Sequence, residues 1–400
     1  MSDHSGVWLG AAERALRAAP PTALPAAAEE LLIRYMGARA VTLLLADYSL
    51  TALQPVTRLP HTGEAVLVRD GLPATRAFAA GAPVVEVVDE PGLVVVHLPV
   101  TVRGDRIGVL SVRLPEPGQG ASAVLEMADF ATALGHELVV ADRNTDLYLQ
   151  GRRRRRLTLA AEMQWQLLPG RGFEVAEYTL GGHLEPAYAI GGDNFDWSAT
   201  DDTLNITVTD GQGHGIDAAL LTNLTINALR NARRAEISLE DQACLADQAV
   251  YAEYGGKRYA PSLLLHFDLE TGRAHGIDAG SPQLFRLRDD IVERVEFQPE
   301  APLGMFEETD YHQQPFQVLP GDRLVVVSSG VHGSSAQGAG SHAFGEHALR
   351  ETIAATRTAS PHETARAVVD GLVQHRHGAE LSQDAAVVCL DWRGRTRALP

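Results

Sequence analysis

Two short segments place carboxylates among glycines: Gly191-Gly192-Asp193-Asn194-Phe195-Asp196 and Thr209-Asp210-Gly211-Gln212-Gly213-His214-Gly215. Aspartates supply the hard oxygen ligands that Mg²⁺ or Mn²⁺ prefers, and glycines let the backbone approach a ligand closely or adopt positive φ. A pair of acidic glycine turns would use the same letters, so the residues by themselves leave metal binding and a structural role both open. His214 fits a ligand or proton donor, and equally a histidine hydrogen-bonded in a turn. Other chemistries fit less well. Gly211-x-Gly213-x-Gly215 falls short of the dinucleotide spacing G-x-G-x-x-G, and Ser328 and Ser329 lie in no G-x-S-x-G elbow.

These segments need strands to end on and helices to follow. Residues 173–180, 183–190 and 203–210 read as strands, and the stretch from Gly215 to about Arg234 reads as a helix. Strand patterns recur at 262–269, 273–280, 323–329 and 385–390, with helices near 241–254 and 361–375. Many strands with helices bundled between them imply layered sheets covered by helices.

Upstream, Leu24, Ala28, Leu31, Leu32 and Met36 have helical spacing, residues 41–46 read as a buried strand, and 94–100 and 106–114 as two strands joined near Gly104-Asp105. Between the two regions, Leu125, Ala128, Ala131, Leu134 and Leu138 form one apolar helical stripe, and Leu157, Ala161, Gln164 or Trp165, and Leu168 form another. Pro169-Gly170 stops that helix. The expected organisation is a smaller domain over 1–121, a helical linker over 122–168 that offers a dimer seam, and a larger domain over 169–391.

The composition narrows the function classes. The 400 residues carry 34 Lys+Arg against 51 Asp+Glu, a formal net charge of −17, which argues against a general nucleic-acid grip. The run Arg152–Arg156 reads as a solvated helix face. Cys244 and Cys389 lie far apart with no C-x-x-C spacing, which suits a reducing compartment. No export signal and no stretch of about 18 uncharged apolar residues is visible, so the expectation is a cytoplasmic protein without membrane contact.

The ordered set Leu167-Leu168-Pro169, GGDNFD (191–196), TDGQGHGIDAALL (209–221), DAGSPQL (278–284), PLGM (302–305), LPGDRLVVVSSGV (319–331) and QDAAVV (383–388) resembles the metal-dependent Ser/Thr protein phosphatases of the SpoIIE/RsbU kind. The N-terminal part resembles a GAF sensor domain by position, length and its strand pair. The resemblance implies an α/β (α+β) architecture: a PP2C-like α/β/β/α sandwich preceded by a smaller GAF-like domain and a helical linker. It also implies a centre of Mn²⁺ or Mg²⁺ that activates water for in-line attack on phosphoserine or phosphothreonine. By motif position Asp210 would bridge the metals, the Gly211 carbonyl would bind one, and Asp193 would hold metal or its water, with Asp193 and Asp210 as the catalytic residues.

Two metal-ligand positions depart from the family pattern. Ser329 stands where an aspartate is usual, and Gln383 replaces the first residue of an Asp-Asp pair, leaving Asp384. Ser281 stands in place of a histidine. A hydroxyl and an amide compensate divalent charge poorly. The expectation is therefore a regulatory phosphatase-like protein with impaired or lost catalysis, holding one or two ions weakly or none. The alternative is an active enzyme whose metals are held by Asp193, Asp210 and Asp384. The implied partner is a phosphorylated regulatory protein of the anti-sigma-factor-antagonist type, and the linker suggests a homodimer.

Overall fold

The computed structural model describes residues 5–56, 66–68, 71–116, 120–153, 157–186, 191–333, 346–376 and 381–395. The chain divides into two compact units, Met1–Arg156 and Leu157–Pro400.

The first unit contains α1 (Ser5–Ala18), α2 (Leu24–Met36), β1 (Ala40–Ala46), β2 (Ala52–Pro55), β3 (Val66–Leu67), α3 (Pro73–Ala80), β4 (Val84–Val87), β5 (Leu93–Val102), β6 (Asp105–Pro115), α4 (Ala121–Ala141) and α5 (Leu147–Gly151). Its strands form one antiparallel sheet ordered β3-β2-β1-β6-β5-β4. The β5–β6 turn forms because Arg103 and Gly104 both adopt positive φ, the conformation a two-residue hairpin loop demands. Period-2 alternation aims Val94, Val96, Leu98 and Val100 at one face, where α1, α2 and α4 bury them. Phe78 of α3 covers Leu44 and Val109 on the other.

The stretch 122–168 is shared between the units instead of standing between them. Met127, Phe130, Ala131, Leu134 and Leu138 of α4 are buried in the core of the first unit. An apolar stripe signals that a helix needs a partner, and here a sheet of the same unit covers Ala131, Leu134 and Leu138 of the expected stripe, while Leu125 stays exposed. Arg152 pairs with Asp142 at 4.0 Å, while 154–156 of the arginine run lie outside the described residues.

The second unit contains α6 (Leu159–Leu167), β7 (Gly172–Glu174), β8 (Tyr178–Glu185), β9 (Asn194–Ala199), β10 (Thr203–Thr209), α7 (Gly215–Arg234), α8 (Leu239–Tyr254), β11 (Ser262–Asp268), β12 (Arg273–Ala279), β13 (Gln283–Arg288), β14 (Ile291–Val295), β15 (Gln314–Gln317), β16 (Arg323–Val327), α9 (Ser329–His332), α10 (Glu346–Ala355), α11 (Pro361–His375) and β17 (Ala385–Trp392). The expected strand over 183–190 is the end of β8, and 187–190 lie outside the described residues.

Two antiparallel sheets result, ordered β15-β12-β11-β10-β9 and β14-β13-β16-β17-β8-β7. Helices α7 and α8 bury Leu229, Leu239, Ala243 and Ala246 against Leu264 and Ile277 of the first sheet. Helix α11 buries Val368, Val369 and Leu372 against Val325, Val387 and Cys389 of the second. Phe267 meets Trp392 at a centroid distance of 5.9 Å between the sheets. This is the expected α/β/β/α sandwich. Among the described residues no helix is long and apolar enough to cross a membrane.

Candidate functional site

The two acidic glycine segments meet at one end of the sandwich. β9 and β10 are antiparallel neighbours with Asn194 opposite Thr209, so Asp193 and Asp210, one residue beyond each, emerge side by side. The backbones approach closely: the Gly211 amide donates to the Gly192 carbonyl at 3.1 Å, and Thr222 of α7 donates to the same carbonyl at 2.6 Å. A Cβ on Gly192 would lie 2.6 Å from the Gly211 Cα, and one on Gly211 would lie 2.2 Å from the Thr222 hydroxyl. Both positions therefore require glycine.

A cleft of about 490 Å³ opens over this junction, lined by Asp193, Asp210, Gly211, Ser281, Ser329 and Asp384 among others. Gln383 and His214 lie exposed on its wall. Asp193 and Asp210 are each 6% exposed and Asp384 is fully buried. The first two aspartates, Ser329 and Asp384 come from four separate chain segments, so the structure brings together every candidate site residue, Gly211 included. Asp196 of the same acidic segment points elsewhere. Arg230 grips it at 2.7 and 3.2 Å and Arg233 at 3.1 Å, while Arg230 also donates to the Leu167 carbonyl at 2.7 Å. That clamp fixes α7 against β9 and the end of α6.

The carboxylates differ in how their oxygens are used. One oxygen of Asp210 accepts from the Ser281 hydroxyl and from the Ser329 amide at 3.0 Å, while its Oδ1 is buried without a partner. Asp193 Oδ2 is likewise buried and unpartnered. Asp384 has both oxygens engaged: Oδ1 accepts from the Gly191 amide at 2.9 Å and Oδ2 from the Gln164 side chain at 2.5 Å. The same Gln164 nitrogen reaches the Asp193 carbonyl at 3.0 Å.

Electrostatics follow from this crowding. Burial first, then repulsion from Asp210 and Asp384, pushes the Asp193 carboxyl well above the usual carboxylate range, opposed by a hydrogen bond from Ser328. Burial also raises Asp210, and the hydrogen bonds of Ser281 and Ser329 counter it. Burial lowers His332, whose Nε2 sits 2.9 Å from the Ser281 carbonyl oxygen.

Residues 200–393 match the family model described as Stage II sporulation protein E (SpoIIE). This segment is a SpoIIE-family domain. Among solved structures, the chain is similar to the PP2C phosphatase domain and regulatory fragment of SpoIIE from Bacillus subtilis at 20% identity, covering 55% of this chain and 65% of that one, TM-score 0.48. It is similar to the RsbU and RsbW domains of Rv1364c from Mycobacterium tuberculosis at 21% identity, covering 58% and 64%, TM-score 0.47. RsbX, crystallised in complex with magnesium, shares 15% identity over 55% of this chain and 98% of its own, TM-score 0.43. Among curated protein sequences none matches the chain.

The donor set of this SpoIIE-family domain does not fit a two-metal centre. The expected aspartate at 329 is a serine whose backbone amide points at Asp210, and the expected one at 383 is an exposed glutamine. Asp384 offers only the lone pairs its two hydrogen bonds leave. Among the described residues no group of three or more His, Cys, Asp and Glu side chains is arranged to hold a metal ion. Two bare carboxylate oxygens remain at the cleft, Asp193 Oδ2 and Asp210 Oδ1.

Three contributors were not recognisable from type and spacing. Gln164 looks like one residue of an apolar helical stripe, yet its amide crosses 220 positions to Asp384. Ser281 and His332 signal only as departures or as nothing, and become visible through their contacts with Asp210 and with each other.

Proposed function

We propose that this chain is a signalling regulator of the PP2C-type phosphatase family whose own catalysis is impaired or lost. Phosphatases of this family depend on Mg²⁺ or Mn²⁺ held by carboxylates. The observation that carries the reading is the fate of Asp384: the one carboxylate left to replace the missing ligands already has both oxygens hydrogen-bonded, by Gln164 and Gly191. Two unpartnered oxygens can hold one hard cation weakly, and they leave uncompensated the charge that a second would bring.

In this reading the N-terminal unit is a GAF-like sensory part, and the cleft engages a phosphorylated regulatory protein of the anti-sigma-factor-antagonist type without efficient turnover. Helix α6, which carries Gln164, opens directly after the first unit ends at Arg156 and so links signal to cleft along the chain. The test is phosphate release from phosphoserine and phosphothreonine peptides with saturating Mn²⁺, for the wild type and Asp210→Asn. The expected result is release indistinguishable between the two. Turnover that Asp210→Asn abolishes would establish the active enzyme instead.

A further inference from the structure

We infer that a second metal site, of a different chemical class, lies on the helix-facing side of the first sheet at His266 and His275. The two residues are directly opposed across the antiparallel β11–β12 pair. Opposed side chains on one face have Cβ atoms about 4.5–5.5 Å apart, which lets two imidazole nitrogens converge on one ion at about 2.0–2.1 Å each.

The row they form adjoins the row of Leu264 and Ile277, which α7 and α8 cover. The histidines are half-buried, one step beyond that core, where solvent reaches them. On the other side of His266, Asn205 of β10 stands opposite it in register. The ring Nδ1 lies 3.0 Å from the Asn205 side-chain oxygen. An amide oxygen only accepts, so with that oxygen facing it Nδ1 carries the proton in the neutral ring, and Nε2 keeps its lone pair for a ligand. A hydrogen-bonded outer partner of this kind fixes both tautomer and ring orientation in histidine metal sites. The His275 ring makes no hydrogen bond among the described residues, and burial, then the neighbouring His275, disfavours protonation of His266.

Two neutral imidazoles favour a borderline transition ion, Zn²⁺, Ni²⁺ or Cu²⁺, over Mg²⁺ or Mn²⁺. With two protein nitrogens, water completes the coordination, and the ion is exchangeable. Its paired imidazoles separate it from the carboxylate cleft at Asp193 and Asp210, and it stands whether or not the phosphatase reading does.

The experiment is Zn²⁺ titration calorimetry on the full chain in excess Mg²⁺, with His266→Gln, His275→Gln, Asn205→Ala and Asp210→Asn run in parallel. Glutamine keeps the volume and polarity, and thermal unfolding without metal verifies that each variant folds. The expected result is a wild-type site weakened on the order of tenfold or more by either histidine change and by about 10–100-fold in Asn205→Ala, yet retained in Asp210→Asn. Absence of Zn²⁺ binding in the wild type, or an isotherm that either histidine variant leaves unchanged, overturns the assignment.

Discussion

Replacing Gln164 by Met keeps nearly the same length and volume but removes the amide that joins α6 to the cleft. Two hydrogen bonds disappear: one to the buried Asp384 carboxylate at 2.5 Å and one to the Asp193 carbonyl at 3.0 Å. A bond to a charged group contributes about 1.5–3 kcal/mol and a neutral one about 0.5–1.5 kcal/mol, with the stranded acceptors adding to the loss. The expected destabilisation is therefore about 3 kcal/mol, and for a unit of this size that corresponds to a fall in Tm of roughly 6–12 °C. Three of the four tryptophans, Trp165, Trp197 and Trp392, lie in the second unit, so fluorescence-monitored urea unfolding is weighted towards it. Gln164→Glu should be worse than Gln164→Met at neutral pH, because a second carboxylate would face Asp384. If Gln164→Met lies within about 0.5 kcal/mol of the wild type, a surface-like effect, the reasoning about Asp384 fails.

Three further outcomes follow from the same geometry. The folded-state pKa of Asp193 is raised, so the folded protein holds that proton more tightly than the unfolded chain, and stability is lost as pH rises from about 3.9 through the folded value. In chelator, Asp193→Asn should unfold at a higher temperature than the wild type at neutral pH, with the gap closing as pH falls towards 4; a gap independent of pH would contradict the assignment. A Cβ at Gly330 would sit 1.7 Å from the Asp384 carbonyl oxygen, so Gly330→Ala should cost about 3 kcal/mol or more in denaturant unfolding, and a neutral result would refute the close approach of α9 and β17. Restoring both missing carboxylates in Ser329→Asp with Gln383→Asp should raise Mn²⁺ affinity, read as metal-dependent thermal stabilisation, whereas equal stabilisation of variant and wild type would mean these positions do not limit metal binding.

The elements that present the cleft were legible because their signals are local. The strand ending at Thr209 and the helix from Gly215 to Arg234 stand where alternation and helical spacing put them. Asp193, Asp210 and Gly211 were legible for the same reason, since glycine beside aspartate at a strand end marks a turn that a ligand can approach. What the sequence does not carry is who receives a long side chain. The stripe on α4 announces a buried face without saying that β5 covers it, and Gln164 sits among apolar neighbours with its acceptor 220 positions away. Ser329 was readable as a missing carboxylate, but its amide donating to Asp210 depends on how α9 follows β16, which no local pattern reports.

The central claim concerns how many ions the cleft holds. Mn²⁺ titration calorimetry on the wild type and on Asp210→Asn counts them directly, with excess Mg²⁺ omitted. The account predicts one weak site at most, removed by the substitution. Two tight sites in the wild type would contradict it and would require Asp384 to release Gln164 and Gly191 and turn towards the metals.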